Sequence, residues 1–81
     1  MKITVKMFAL AKQLVQADEV CVTLPDQATL ADLKRALREQ HPALDSLAAH
    51  WMFAIDGEYA GDADQLHEQA DVACIPPVSG G

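Results

Sequence analysis

The side chains able to do covalent, acid–base or metal chemistry fall into no constellation within the body of this chain. Cys21 and Cys74 stand far apart, with no CxxC and no Cys/His cluster. That pattern gives neither a disulfide framework nor a zinc site, and it argues against a small redox protein built on the two thiols. His41, His50 and His67 do not fall at metal-ligand spacing either, and read as surface or loop histidines. The carboxylates are many but scattered. No Gly-rich loop joins a strand to a helix, and no Ser/His/Asp or Cys/His arrangement has a recognisable spacing. No metal site and no catalysis by the isolated chain are expected.

The chemistry points to the C-terminus, which reads Ile75-Pro76-Pro77-Val78-Ser79-Gly80-Gly81. Two prolines stop ladder pairing and hold the leaving chain extended. Six residues beyond Ile75 reach roughly 20 Å at about 3.3–3.6 Å each, enough to carry a terminal carboxylate into another protein's cleft. Gly80-Gly81 adds no Cβ and threads a channel too narrow for any other residue. A frayed terminus is the ordinary alternative for a chain end. What separates the two is the architecture that precedes the tail.

Lys2 to Phe8 alternates, with Ile3, Val5 and Met7 on one side, and predicts a half-buried strand. Ala9 to Val15 shifts toward helical spacing through Leu10 and Leu14. Glu19 to Leu24 alternates again and stops at Pro25-Asp26, a second strand expected antiparallel to the first. Thr29 with Asp32 three residues on resembles a capping box. Leu30, Leu33 and Leu37 then share one helical face, and His41-Pro42 ends the helix. Ala43 to His50 is ambiguous. Met52–Ile55, Asp56-Gly57 and Glu58–Ala60 form a hairpin with a type I′ turn. Gly61 to Ala70 is polar and turn-rich, and Asp71 to Ile75 is a last strand before Pro76-Pro77. The fold class is therefore α+β, a mixed sheet covered on one face by one main helix. The order fits a ubiquitin-like β-grasp, with first and last strands parallel at the centre. The division is a β-grasp domain over 1–75 and an extended Gly-Gly tail over 76–81.

An 81-residue chain with 51% hydrophobic and 22% charged residues is a single globular domain. Its apolar runs are too short to span a bilayer, and Met1 to Lys6 alternates where a signal peptide would run apolar. A cytoplasmic location is expected. The charge is lopsided: residues 1–38 hold six cations against four anions, whereas residues 39–81 hold eight anions and no cation. A wholly acidic second half disfavours nucleic acid and anionic membranes, and suits a protein partner with a basic surface. A merely solubilising face is the plainer alternative.

With these pieces together, the chain resembles the MoaD-type ubiquitin-like sulfur carriers, the small subunits of molybdopterin synthase. The resemblance runs through the opening strand into Met7-Phe8-Ala9, the Thr29-capped helix, the Phe53-Ala54-Ile55-Asp56-Gly57-Glu58-Tyr59 hairpin and the Pro-Pro-Val-Ser-Gly-Gly tail. Lys12, Asp56 and Gln69-Ala70-Asp71 depart from the family's usual Arg, Asn and Gly-Asp-Glu, all at turns or surface.

The resemblance implies a shuttle with no bound cofactor. An E1-like activating enzyme spends ATP to adenylate the carboxylate of Gly81. A sulfur donor then displaces AMP and leaves a thiocarboxylate, a C-terminal thioglycine. The charged carrier docks on the large subunit, in a heterotetramer, where its sulfur helps to build the dithiolene of molybdopterin from cyclic pyranopterin monophosphate. Gly81 is the reacting residue in this scheme, with Pro76, Pro77, Val78, Ser79 and Gly80 as the inserted lead. Phe8, Tyr59 and Ile75 lie at the partner interface. Strand parity separately turns Phe8 and Ile75 outward as an apolar pair beside the tail. Two other readings share the Gly-Gly end. The thiamine-pathway sulfur carriers are shorter and lack Pro-Pro before the tail. A ubiquitin-like protein modifier would be conjugated through Gly81 to lysines of its targets.

Overall fold

The computed structural model describes residues 1–77. Strand β1 (Lys2–Met7) is followed by helix α1 (Ala9–Val15), strand β2 (Glu19–Thr23) and helix α2 (Leu30–Gln40). A 3₁₀ turn (Pro42–Leu47) leads to β3 (Met52–Ile55), β4 (Glu58–Ala60) and β5 (Val72–Ile75). The sheet order is β2-β1-β5-β3-β4. β1 and β5 run parallel at its centre, and every other neighbouring pair is antiparallel. The alternation expected from the sequence appears residue by residue in β1, where Ile3, Val5 and Met7 are buried and Lys2, Thr4 and Lys6 are exposed.

Helix α2 forms where its sequence both starts it and gives it one apolar face. The Thr29 hydroxyl accepts the Asp32 N–H, and the Asp32 carboxylate accepts the Thr29 N–H at 2.9 Å. Asp thus closes the capping box as Glu would. The next two N–H groups of the first turn, from Leu30 and Ala31, donate to the carbonyls of Asp64 and Asp62. These bonds satisfy donors that a helix start leaves orphaned. Leu30, Leu33 and Leu37 are fully buried and meet Val5, Phe53, Val72 and Cys74 in one continuous core.

The ambiguous stretch after α2 is the 3₁₀ turn, which buries Leu44 and Leu47. Trp51 closes that end of the core edge-on against Phe53, with ring centroids 5.0 Å apart. Alongside the main helix, α1 is a complete short helix whose buried residue is Ala11. The hairpin turn has Asp56 at φ 53° and Gly57 at φ 85°. Two successive left-handed residues make the type I′ turn, which asks for glycine at the second position. The segment between β4 and β5 carries no strand, yet its Leu66 and Ala70 are buried in the core.

Candidate docking face and tail exit

All helical elements lie on one side of the sheet, so its other face is open to solvent. Strand register determines which side chains share that face. Met52 pairs with Ile75, and Met7 pairs with Cys74, which sets Phe8 beside Ile75 one step further on. The parallel row behind runs Tyr59, Ala54, Ala73, Lys6 and Glu19 across the sheet. The open face is therefore apolar over β3, β4 and β5 and charged over β1 and β2. Phe8 is 48% exposed, Met52 51% and Tyr59 68%. A contiguous exposed apolar patch beside a chain exit is the kind of surface that can bind a partner.

Phe8 and Ile75 are together as strand parity requires, and Tyr59 shares their face across β3. Met52 joins them and was not legible in the sequence. It sits in the run Trp51–Ile55, all apolar, where no alternation separates inside from outside. Its outward aim follows from its register opposite Ile75.

The chain leaves the sheet at the end of β5, directly beside this cluster. Pro76 is buried and Pro77 exposed. Val78, Ser79, Gly80 and Gly81, the remainder of the expected tail, lie outside the described residues. Beside the exit, α1 and the Ile75–Pro77 lead enclose a groove of about 660 Å³, lined by Phe8, Leu10, Gln13 and the two prolines among others. A backbone feature shapes it. Ala9 holds φ at 49°, turning the chain sharply from β1 into α1 and leaving Phe8 and Leu10 both exposed, at 48% and 45%. A left-handed alanine costs on the order of 1 kcal/mol, and such strain concentrates at functional sites.

Ion pairs join the two halves of the sequence. Five of the six cationic side chains are tied to aspartates: Lys6 to Asp71, Lys12 to Asp18, Lys34 to Asp62, Arg35 to Asp32 and Arg38 to Asp45. The positive charge of the first half is thus neutralised locally. Glu19, Glu39, Glu58 and Glu68 form no ion pair among the described residues, so the far field is acidic.

Cys21 is exposed on the outer face, its Sγ 3.6 Å from the Thr4 hydroxyl, while Cys74 is buried on the inner face. Burial pushes the Cys74 thiol up to about 11. Two thiols on opposite faces cannot form a redox pair. No group of three or more His, Cys, Asp or Glu residues could hold a metal ion among the described residues. No helix among them is long and apolar enough to cross a membrane.

Asp56, one of the departures from the family's usual turn, has a contact far along the chain. One carboxylate oxygen accepts the Asp71 N–H at 2.9 Å and the other meets His67 Nε2 at 2.7 Å. The Asp71 N–H bond and then the His67 contact hold the Asp56 carboxyl below its ordinary range. This clasp ties the hairpin turn to the start of β5.

Comparison with known proteins agrees with this geometry. Residues 5–81 match the sequence model of the ThiS family. The molybdopterin synthase sulfur carrier subunit of Caenorhabditis briggsae is 38% identical, over 98% of this chain and 96% of its own. The crystal structure of SAMP1 from Haloferax volcanii, a small archaeal modifier protein, superposes with a TM-score of 0.90 at 29% identity and covers both chains fully. Subunit 1 in a complex of subunits 1 and 2 of molybdopterin-converting factor from Helicobacter pylori shares the fold, with a TM-score of 0.68 at 17% identity over the whole of both chains.

Proposed function

For a chain that belongs to the ThiS family, and whose relatives include the molybdopterin synthase sulfur carrier subunits, we propose the role of sulfur carrier in molybdopterin synthase, with Gly81 as the charged residue. A carboxylate resists nucleophilic attack, because its negative charge is spread over two oxygens and it has no good leaving group. An E1-like enzyme converts it with ATP to an acyl-adenylate and releases pyrophosphate. The terminal sulfur of a persulfide donor then displaces AMP to give an acyl disulfide, and a second thiol of the donor cleaves its S–S bond, leaving a thiocarboxylate on the carrier and a disulfide on the donor. The large subunit supplies the catalytic pocket, and there the thiocarboxylate sulfur passes to cyclic pyranopterin monophosphate. Water hydrolyses the acyl–sulfur bond, so the carrier returns with its carboxylate restored. The assembly is a heterotetramer, with a dimer of large subunits holding one carrier at each end.

The observation that carries this reading is the continuity of the exposed apolar face with the chain exit. Ile75 precedes Pro77 by two residues, Met52 pairs with Ile75, and Phe8 lies one step past the Met7–Cys74 pair. A partner that grips the face is therefore also positioned to receive the residues beyond Pro77. The test is a mass measurement. With activating enzyme, ATP and a sulfur donor, the native chain gains the mass of sulfur for oxygen at its C-terminus. A chain extended by one residue past Gly81 does not, nor does Gly81→Val, whose Cβ branch restricts the backbone and widens the tip. An extended chain that acquires the mass without being trimmed would falsify the thiocarboxylate mechanism.

The likeness to SAMP1 favours one second reading, conjugation of Gly81 to target lysines. Isopeptide-linked species in cell extract that vanish with Gly81→Val would establish it.

A further inference from the structure

The groove between α1 and the proline lead lies beside the open sheet face and shares Phe8 and Ile75 with it. Ala9 turns the backbone at φ 49° and lines the groove together with Phe8, Leu10, Gln13, Ile75 and the two prolines. In a chain with 22% charged residues, no charged side chain lines this groove. Leu10 is 45% exposed although it belongs to a helix whose neighbouring Ala11 is fully buried. It is the one large exposed apolar side chain of the described residues that the open sheet face does not account for.

Chain length limits what can cover the groove. From Pro77 to Gly81 there are four residues, which span at most roughly 14 Å of extended chain. Any protein that takes the Gly81 carboxylate into a pocket must bring its surface to within that distance of Pro77, which itself lines the groove. The groove is also continuous with the sheet face through Phe8, which borders both. We propose that it receives an apolar side chain of the synthase large subunit, and that Leu10 is a specificity residue for that docking. The inference rests on the carrier reading. The sheet face and the groove then act as two grips on either side of the tail root, fixing the direction in which Pro77 points as well as its position. A single flat contact would leave the carrier free to pivot about Phe8.

The experiment titrates the large subunit with the full-length carrier by calorimetry and compares the native chain with Leu10→Gln. Glutamine keeps helix propensity and removes the exposed apolar area. The expected result is a Kd raised about tenfold, the scale of losing the open part of one leucine from an interface, with an unchanged thermal midpoint. Gln13→Leu, which widens the apolar lining, is expected to tighten binding. Native and Leu10→Gln carriers that bind the large subunit equally would overturn the proposal and leave the carrier reading intact. So would a defect of Leu10→Gln confined to the adenylating enzyme. A native carrier that fails to bind the large subunit at all would overturn both.

Discussion

Phe8→Asp tests the docking face most directly, because the structure gives the size of the effect on binding and on folding separately. Phe8 is 48% exposed. An aromatic side chain presents about 200 Å², so about 100 Å² of it is open to a partner. At about 25 cal/mol per Å², that area contributes about 2.5 kcal/mol to association, close to 60-fold in Kd. A carboxylate brought to the same place must also be desolvated, which pushes the loss further. The fold loses less. Removing the buried half of the ring costs on the order of 2 kcal/mol. Phe8, however, is the N-cap of α1 and makes no side-chain cap bond. Aspartate is among the best N-caps and offsets about 1 kcal/mol of that loss. A net cost of about 1 kcal/mol lowers the midpoint of a domain this size by roughly 4–8 °C. Calorimetry against the large subunit, with a thermal melt of the same sample, reads both quantities. A Kd equal to the native value in a folded sample would remove Phe8 from the interface and with it the argument from the open sheet face.

Three further outcomes are expected. Association with a basic partner slows as salt rises, since the unpaired acids Glu19, Glu39, Glu58 and Glu68 act over a screening length of about 8–10 Å; stopped-flow rates independent of ionic strength would reduce these acids to solubilisation. Thr29→Ala removes the hydroxyl acceptor of the α2 capping box and should cost about 1 kcal/mol, read as a lower midpoint in urea with an unchanged slope. Acid unfolding should draw on Asp32, held down first by the Thr29 N–H bond, and Asp56, held down first by the Asp71 N–H bond. Each binds its proton less readily folded than unfolded, so the stability it lends is complete above its ordinary value of 3.8 and is lost as pH falls through the lower folded value. Asp56→Asn should flatten that acid limb, and an unaltered limb would show the His67 clasp to be inert.

What the sequence made legible depends on the range over which its signals act. Alternation in Lys2–Met7 and the leucine stripe of α2 are local patterns backed by burial on one face, and both elements formed where the pattern placed them. The parity that turned Phe8 and Ile75 outward is equally local. Met52 was hidden because its run is apolar throughout, and only pairing with Ile75 decides its side. In α1 the spacing of Leu10 and Leu14 suggested an apolar face. The short helix instead seats Ala11 in the core and leaves Leu10 exposed, because a small side chain lets its backbone approach closely. The segment 61–70 reads as polar turn, yet the carbonyls of Asp62 and Asp64 cap α2 and Leu66 fills the core. Backbone carbonyls carry no sequence signature, so this role could not be read from composition. Asp56 is similar: its partners lie eleven and fifteen residues away.

The position of β5 connects these details to the carrier's task. β5 pairs on both sides, with β1 and with β3, so the tail grows from the middle of the sheet and not from an edge. Central strands open only with most of the structure, whereas edges and termini fray at little cost. Pro76 is buried directly after the last ladder residue and has no N–H with which to continue pairing. The sheet therefore stops abruptly while its root stays anchored. A partner that seats Phe8, Met52 and Ile75 takes hold of three adjacent strands at once, and the register among those strands fixes where Pro77 stands relative to the contact. Orientation of the tail is in this way a property of the core: a substitution that loosens β5 without touching the surface, such as Val72→Ala, should degrade sulfur transfer through misplacement of the tail root at temperatures where the domain is still folded.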